Sequence, residues 1–218
     1  MGITVSMKKE IAAIRKDYIL EALTEDDIAQ DAIDQFTRWW QEAVKSEIDE
    51  VNAMTLATAA KDGKPHARIV LLKDYDENGF VFFTNYSSHK GAEVDENPQA
   101  ALLFFWKELE RQVRIEGVIE KVSDKESDDY FHSRPVGSRI GAWASPQSST
   151  IASRDVLEEN VKKFTEAFTS EVPRPLHWGG YRVIPQTIEF WQGRSSRLHD
   201  RILYIRTNLG WAISRLAP

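Results

Sequence analysis

Three clusters in this 218-residue chain bring together residue types able to do chemistry. The first is Arg68-Ile69-Val70-Leu71-Leu72-Lys73, with a base at each end of an apolar run. Two cations so placed can hold a phosphate; they equally suit long side chains that lie on apolar surface and keep their charge in water. Positions five apart point to opposite faces of a regular strand, so one shared ligand requires a bulge, a sheet edge or a subunit boundary. The second cluster is Tyr130-Phe131-His132-Ser133-Arg134-Pro135, followed by Ser138. Tyr130 and Arg134 are four apart, which on a helix puts a phenol and a guanidinium on one face, as it also does for an ordinary surface pair. In the third, Trp191-Gln192-Gly193 precedes Arg197-Leu198-His199-Asp200-Arg201. An extended backbone there points Arg197, His199 and Arg201 to one side, and three donor-rich side chains on one face call for an acceptor.

Other chemistries are poorly represented. There is no cysteine, hence no disulfide framework, thiolate metal site or thiol nucleophile. The five histidines, at 66, 89, 132, 177 and 199, show neither HExxH nor paired spacing, so no metal site is expected. GxSxG, GxGxxG and GxxxxGK[ST] are all missing. A net charge of −6 argues against a nucleic-acid partner. That charge lies wholly in residues 1–50, with 12 acids and 6 bases, while residues 51–218 carry 22 of each. Five arginines crowd the last 25 residues against Asp200 alone, an arrangement suited to a small anion or to a solvated surface. No apolar run approaches the ~18–20 residues of a membrane span. The pattern Met1-Gly2 to Ser6 fits myristoylation only formally, as Asn85-Tyr86-Ser87 does glycosylation, and the expected compartment is the cytoplasm.

The elements that must position these clusters follow from periodicity. Ile11, Ile14, Tyr18 and Ala22 have helical spacing, and so do Ile33, Phe36, Trp40 and Val44. From Ala53 the period shortens. Strands are expected at 54–58, 68–73, 80–84, 100–106 and 112–121, separated by turn residues such as Asp62-Gly63 and Asn78-Gly79. A short helix over 90–96 is stopped by Asn97-Pro98. Ser123 to Glu126 has the form of a capping box opening a helix that ends near Pro135. A helix over 153–168 and strands at 181–184, 187–191, 202–206 and 211–214 complete the chain. Strands joined by tight turns with helices inserted predict a mainly β fold, an antiparallel barrel with peripheral helices.

Taken in order, several segments resemble the pyridoxine (pyridoxamine) 5′-phosphate oxidases of bacterial type. They are RIVLLK (68–73), Glu110-Arg111-Gln112-Val113, Tyr130 to Pro135, Ser138, Gln147-Ser148-Ser149, Phe190-Trp191-Gln192-Gly193, RLHDR (197–201) and the terminal Arg215-Leu216-Ala217-Pro218. The resemblance runs from about Arg15 to Pro218. It implies an FMN-binding split β-barrel, active as a homodimer with its sites at the interface. Residues 1–50 would be a helical, partly mobile segment covering substrate. Residues 51–218 would be the FMN-binding domain with a C-terminal dimerisation and substrate region. Carried over by position, Arg68, Ile69, Val70, Leu71, Leu72, Lys73, Phe83, Thr84, His89, Lys90, Gln112, Gln147, Ser148, Trp191 and Arg201 fall to the flavin. Substrate falls to Lys73, Tyr130, Arg134, Ser138, Arg197, Leu198 and His199, with Arg15, Lys16, Asp17 and Tyr18 as the covering segment. Arg197 and His199 would lie over the reacting ring as the catalytic pair. Arg194, Arg206 and Arg215 acquire no role.

The implied reaction oxidises the C4′ carbon of pyridoxine or pyridoxamine 5′-phosphate to pyridoxal 5′-phosphate, with dioxygen as acceptor and peroxide released; the amine also yields ammonia. FMN would carry the redox chemistry, so no strong acid–base dyad is needed. One departure stands out: the family often has Arg beside the lysine of its flavin-phosphate segment, where this chain reads Ser88-His89-Lys90. Imidazole is shorter than guanidinium and largely neutral at pH 7, so weaker and more pH-sensitive flavin retention is expected. Two other readings share the fold: a carrier that binds FMN or pyridoxal phosphate without turnover, and a split-barrel flavoprotein using another reductant.

Overall fold

The computed structural model describes Ile11, Ala13, Ile14 and residues 16–218. Arg15 and the Met1 to Ser6 pattern lie outside the described residues. Helix α1 (Ala32–Lys45) leads into strands β1 (Ala53–Ala59), β2 (Pro65–Leu71), β3 (Asp74–Asp76) and β4 (Gly79–Asn85). Helix α2 (His89–Glu96) precedes β5 (Gln99–Trp106) and β6 (Arg111–Lys121). Three helices follow, α3 (Asp124–Ser133), α4 (Val136–Ala144) and α5 (Asp155–Ala167). The chain closes with β7 (Trp178–Gln192), β8 (Asp200–Thr207) and β9 (Gly210–Arg215). All nine strands pair antiparallel in the order β2-β1-β5-β6-β7-β4-β3, with β8 and β9 continuing from β7.

Strand β7 is the pivot of this sheet. It pairs with β6 along its length, with β4 over residues 178–183 and with β8 over 187–192. The sheet therefore forks, one branch closing towards β2 and the other carrying the C-terminal strands. Pro185-Gln186 predicts a break between two strands, 181–184 and 187–191, but the element is continuous. A register shift between Glu116 and Gly117 absorbs the proline, which has no N–H to give to the ladder. Only glycine fits at 117, since a Cβ there would stand 1.9 Å from the Ile184 carbonyl oxygen.

Helix α1 is capped by Asp31, whose carboxylate accepts from the Ile33 and Asp34 amides, and it ends on Lys45 beside the negative end of the helix dipole. Its buried stripe is Ile33, Phe36, Trp39 and Ala43 rather than the expected Ile33, Phe36, Trp40 and Val44: Trp40 is half-buried and Val44 is 49% exposed. Phe36 is fully buried, with its ring 4.9 Å from Tyr75 and Phe80 and 5.4 Å from Phe104. Those contacts lock the helix across the mouth of the strands, in one core with Leu56, Leu102, Val113 and Ile188. A smaller core of Phe131, Ile140, Val172 and Trp178 fixes α3 and α4 against β7. The capping box is present, with Ser123 and Glu126 bonded reciprocally. Helix α4 was not expected from the sequence.

The helix predicted through Tyr18 and Ala22 does not form. The amides of Ile19 and Leu20 donate to the Glu110 carboxylate, at 2.9 and 3.3 Å, and the Leu23 amide donates to Asp200 at 3.1 Å. Donors that a helix would pair locally are taken by acidic side chains of the barrel. Arg215 reinforces this by binding Glu25, Asp200 and the Leu23 carbonyl, and Arg194 binds Asp200 at 3.3 Å. Two tail arginines without an expected role thus pin the segment before α1. Among the described residues, no helix is long and apolar enough to cross a membrane.

Candidate active site

Strand β2 ends at Leu71, which settles how Arg68 and Lys73 reach one place. Lys73 lies beyond the strand, its amide bonded to the Val81 carbonyl at 2.9 Å, so strand alternation no longer governs its direction. Both line a cavity of about 880 Å³ with Ile69, Val70, Leu71, Phe83, Thr84, Lys90, Gln147 and Ser148. Tyr130, Arg134 and Ser138 form another wall. These last three arrive by a route different from the expected helical repeat. Helix α3 ends at Ser133, Arg134 is its extended C-cap, and Ser138 stands in the first turn of α4. An aromatic stack holds them: Phe83 lies 4.0 Å from Tyr130 and 5.6 Å from Trp178, and the Arg134 guanidinium sits 4.6 Å above Trp178.

The electrostatics of this cavity are one-sided. Arg68, Lys73, Lys90 and Arg134 line it and, among the described residues, no carboxylate does. Burial lowers the Lys90 pKa, the Arg68 charge lowers it further, and Glu93 only partly offsets them. Burial likewise pushes the Arg134 guanidinium down, and its Nη1 is buried without a hydrogen-bond partner. Lys90 Nζ donates to Thr84 Oγ1, Ser88 Oγ and Gln147 Oε1 at 3.1–3.2 Å, which aims the ammonium into the cavity. Ser148 holds a left-handed φ of 72°, local strain of the kind that collects at binding sites. Desolvated cations with an orphaned donor fit a phosphorylated ligand, and the apolar wall of Ile69, Val70 and Leu71 fits a flat ring system.

A second cavity, of about 790 Å³, is lined by Lys16, Asp17, Tyr18, Arg197 and His199, with Ile14, Arg194 and Ser196. Among the described residues it shares no lining residue with the first. Arg197 is not part of an extended run: Ser196 and Arg197 have φ of 56° and 61°, a tight left-handed turn that presents Arg197 to solvent. The Arg194 amide donates to His199 Nδ1 at 3.1 Å, so the neutral ring carries its proton on Nε2. Burial and the Arg197 charge hold the His199 pKa below the usual histidine range, against Asp200. The ring packs 4.5 Å from Trp191 and 5.9 Å from Tyr18.

The remaining expected site residues are distributed as follows. Gln112, Trp191 and Arg201 sit opposite one another across β6, β7 and β8, forming a row on one face. Among the described residues lining the second cavity with Arg197, Arg201 is absent. Its guanidinium forks onto Glu189 at 2.7 and 3.2 Å and donates to the Ala217 carbonyl at 2.8 Å. The Leu72 side chain is in the core, Leu198 is exposed, and His89 approaches Glu93 and is absent from the lining of the first cavity. Sequence reasoning missed Trp178, which supports Arg134, and Thr58 and Glu93, which bind Arg68 from behind. A threonine in the buried phase of β1 and an acid four residues after His89 were the available signals.

Glu110, to which the sequence assigns no role, is buried and organises the segment around Tyr18. It accepts from the Ile19 and Leu20 amides and pairs with Lys16 at 3.2 Å. Tyr18 then packs on Gly193, where a Cβ would stand 2.7 Å from the Tyr18 ring. Gly193→Ala is expected to lift Tyr18 away, at a cost of roughly 1–1.4 kcal/mol, or about five- to tenfold in KM. Flavin content should not change. Steady-state kinetics check this, together with tryptic cleavage after Lys16, which should accelerate; unchanged KM and cleavage would sink the assignment.

Comparison with known proteins identifies the family. Residues 40–167 match the family model described as pyridoxamine 5′-phosphate oxidase, and residues 178–218 match that of the pyridoxine 5′-phosphate oxidase C-terminal dimerisation region. A curated relative from Trichormus variabilis, named pyridoxine/pyridoxamine 5′-phosphate oxidase, is 60% identical over 214 residues, covering 97% of this chain and 100% of its own. One of the same name from Cupriavidus taiwanensis is 56% identical, covering 96% and 99%. Among solved structures, PhzG from Burkholderia lata, in complex with tetrahydrophenazine-1-carboxylic acid, superposes with a TM-score of 0.85 at 31% identity, over 91% of this chain and 99% of that one. A pyridoxamine 5′-phosphate oxidase-related, FMN-binding protein from Nostoc punctiforme shares the fold, with a TM-score of 0.68 at 16% identity over 84% and 97%.

Proposed function

The chain belongs to the pyridoxamine 5′-phosphate oxidase family, and on that footing we propose that it oxidises pyridoxine 5′-phosphate and pyridoxamine 5′-phosphate to pyridoxal 5′-phosphate with FMN and dioxygen. The observation that carries the reading is the first cavity, with four cations, an orphaned Arg134 donor and no carboxylate. Such a site suits two phosphates, one from cofactor and one from substrate. Arg68, Lys90 and Thr84 would hold the flavin phosphate, with Gln147 and Ser148 beside it and Ile69 to Leu71 along the ring. Lys73, Tyr130, Arg134 and Ser138 would hold the substrate phosphate.

Bound FMN supplies the two-electron oxidation at C4′ and passes the electrons to dioxygen. The protein's task is to place the substrate ring and exclude bulk water. Arg197 and His199 serve that task from the second cavity, with Lys16 and Tyr18 as cover. Because one chain keeps the two cavities apart, we assign their union to a homodimer, in which residues 178–218 bring Arg197 and His199 of one protomer towards the cationic cavity of its partner. Gln112 and Trp191 lie on the face between these contributions.

Anaerobic addition of pyridoxine 5′-phosphate to the purified, flavin-loaded protein tests the reading. The flavin absorption band should bleach, and air should restore it with one peroxide per pyridoxal 5′-phosphate. A band that stays unchanged would identify a carrier. Bleaching by a nicotinamide but not by the B6 phosphates would identify a different flavoprotein.

A further inference from the structure

His66 on β2 and His89 and Glu93 on α2 are distant in sequence or a helical turn apart, and the fold brings them together. One ligand atom from each lies within 4.8 Å of the others. His66 is two residues before Arg68 and shares its face of β2, while His89 and Glu93 are i and i+4 on α2. Glu93 is only 3% exposed. Its Oε2 accepts from Thr58 and from Arg68, the latter at 3.1 Å. Its Oε1 has no hydrogen-bond partner, although His66 Nδ1 is in contact with it and His89 Nδ1 stands 3.6 Å away. His66 Nδ1 is also buried without a hydrogen-bond partner. The two imidazole rings meet edge to face, 4.6 Å between centroids.

Two ring nitrogens and a buried carboxylate oxygen converge on one point, with His66 Nδ1 and Glu93 Oε1 in direct contact but not in hydrogen-bond geometry, and such a donor set can hold an electrophile. Imidazole and carboxylate together select borderline divalent transition metals of the zinc type over magnesium or calcium, which prefer all-oxygen shells. We propose that His66, His89 and Glu93 bind one such ion per chain. The exposed side of His89 leaves the remaining coordination positions to water. Glu93 can serve both neighbours at once, because Oε2 stays with Arg68 and Thr58 while Oε1 meets the metal. Arg68 and Lys90 oppose a dication here, so the affinity belongs to a modest, exchangeable site. Once occupied, the site fixes the carboxylate that orients Arg68.

The test uses untagged, flavin-loaded protein treated with a chelator, desalted and titrated with zinc by calorimetry. Metal content is measured independently by elemental analysis. One zinc per chain is expected, with no heat from magnesium. His66→Gln and His89→Gln should each weaken binding by about tenfold or more. Both positions are partly exposed, so the variants should fold, which circular dichroism checks. Zinc should also raise the melting temperature of the wild type but not of the double variant. Absence of saturable one-to-one binding, or equal binding by wild type and double variant, would overturn the proposal. These readouts do not depend on flavin reduction, so their failure leaves the oxidase reading standing.

Discussion

Replacing Arg197 with methionine is expected to lower kcat by about 10²–10³-fold while leaving flavin content unchanged. The reason lies in what Arg197 does not do for the fold. Its side chain is exposed and makes no hydrogen bond or ion pair among the described residues, in contrast to Arg194, Arg201 and Arg215. A cation held on a left-handed turn beside a neutral His199 is available to a ligand. Methionine keeps the stem and meets the same φ, so stability should move by no more than about 0.5 kcal/mol. Arg197 and the cationic cavity belong to different parts of the chain, which separates turnover from flavin binding. Steady-state rates set beside the ratio of flavin to protein absorbance decide the matter. Parallel loss of both would remove Arg197 from the catalytic role.

Arg134→Met should reduce kcat/KM for the B6 phosphates chiefly through KM. Losing a charge-assisted contact to a phosphate in a partly desolvated site costs roughly 2–4 kcal/mol, or about 30- to 1,000-fold. The folded protein should tolerate the change, because Arg134 Nη1 is a buried donor without a partner and the guanidinium has no carboxylate beside it. Its packing on Trp178 is what methionine can partly reproduce. Thermal melts measure the second half of the expectation and substrate titrations the first. A large fall in melting temperature with KM unchanged would make Arg134 a structural residue and return the phosphate site to Lys73 and Tyr130.

Much of the architecture was legible because it rests on local rules. Alternation located β1, β4, β5 and β6 to within a residue or two, and the Ser123–Glu126 capping box marked the start of α3. Misreadings arose where distant groups overrule local preference. Residues 16–22 have helical spacing, yet Glu110 captures the Ile19 and Leu20 amides and Asp200 that of Leu23. Pro185 looked like a strand end, yet the bulge at Glu116/Gly117 carries β7 through it. Helix α4 follows a proline and carries two glycines, a weak local signal that burial of Ile140 in the smaller core overcomes.

By itself the sequence determined the inventory: an antiparallel β chain without thiols, with basic and aromatic residues in an order that resembles one flavoenzyme family. Order along a chain fixes which side chains exist and their local period. It does not fix which of them converge, because that depends on contacts between residues far apart in sequence. Tertiary structure alone decided that Arg68 and Lys73 share a wall, that Arg201 is committed to Glu189 while Arg197 makes no ion pair among the described residues, and that the site residues divide between two cavities. It also gathered His66, His89 and Glu93, whose spacing had suggested no site, because strand pairing and helix docking bring a buried carboxylate against two imidazoles.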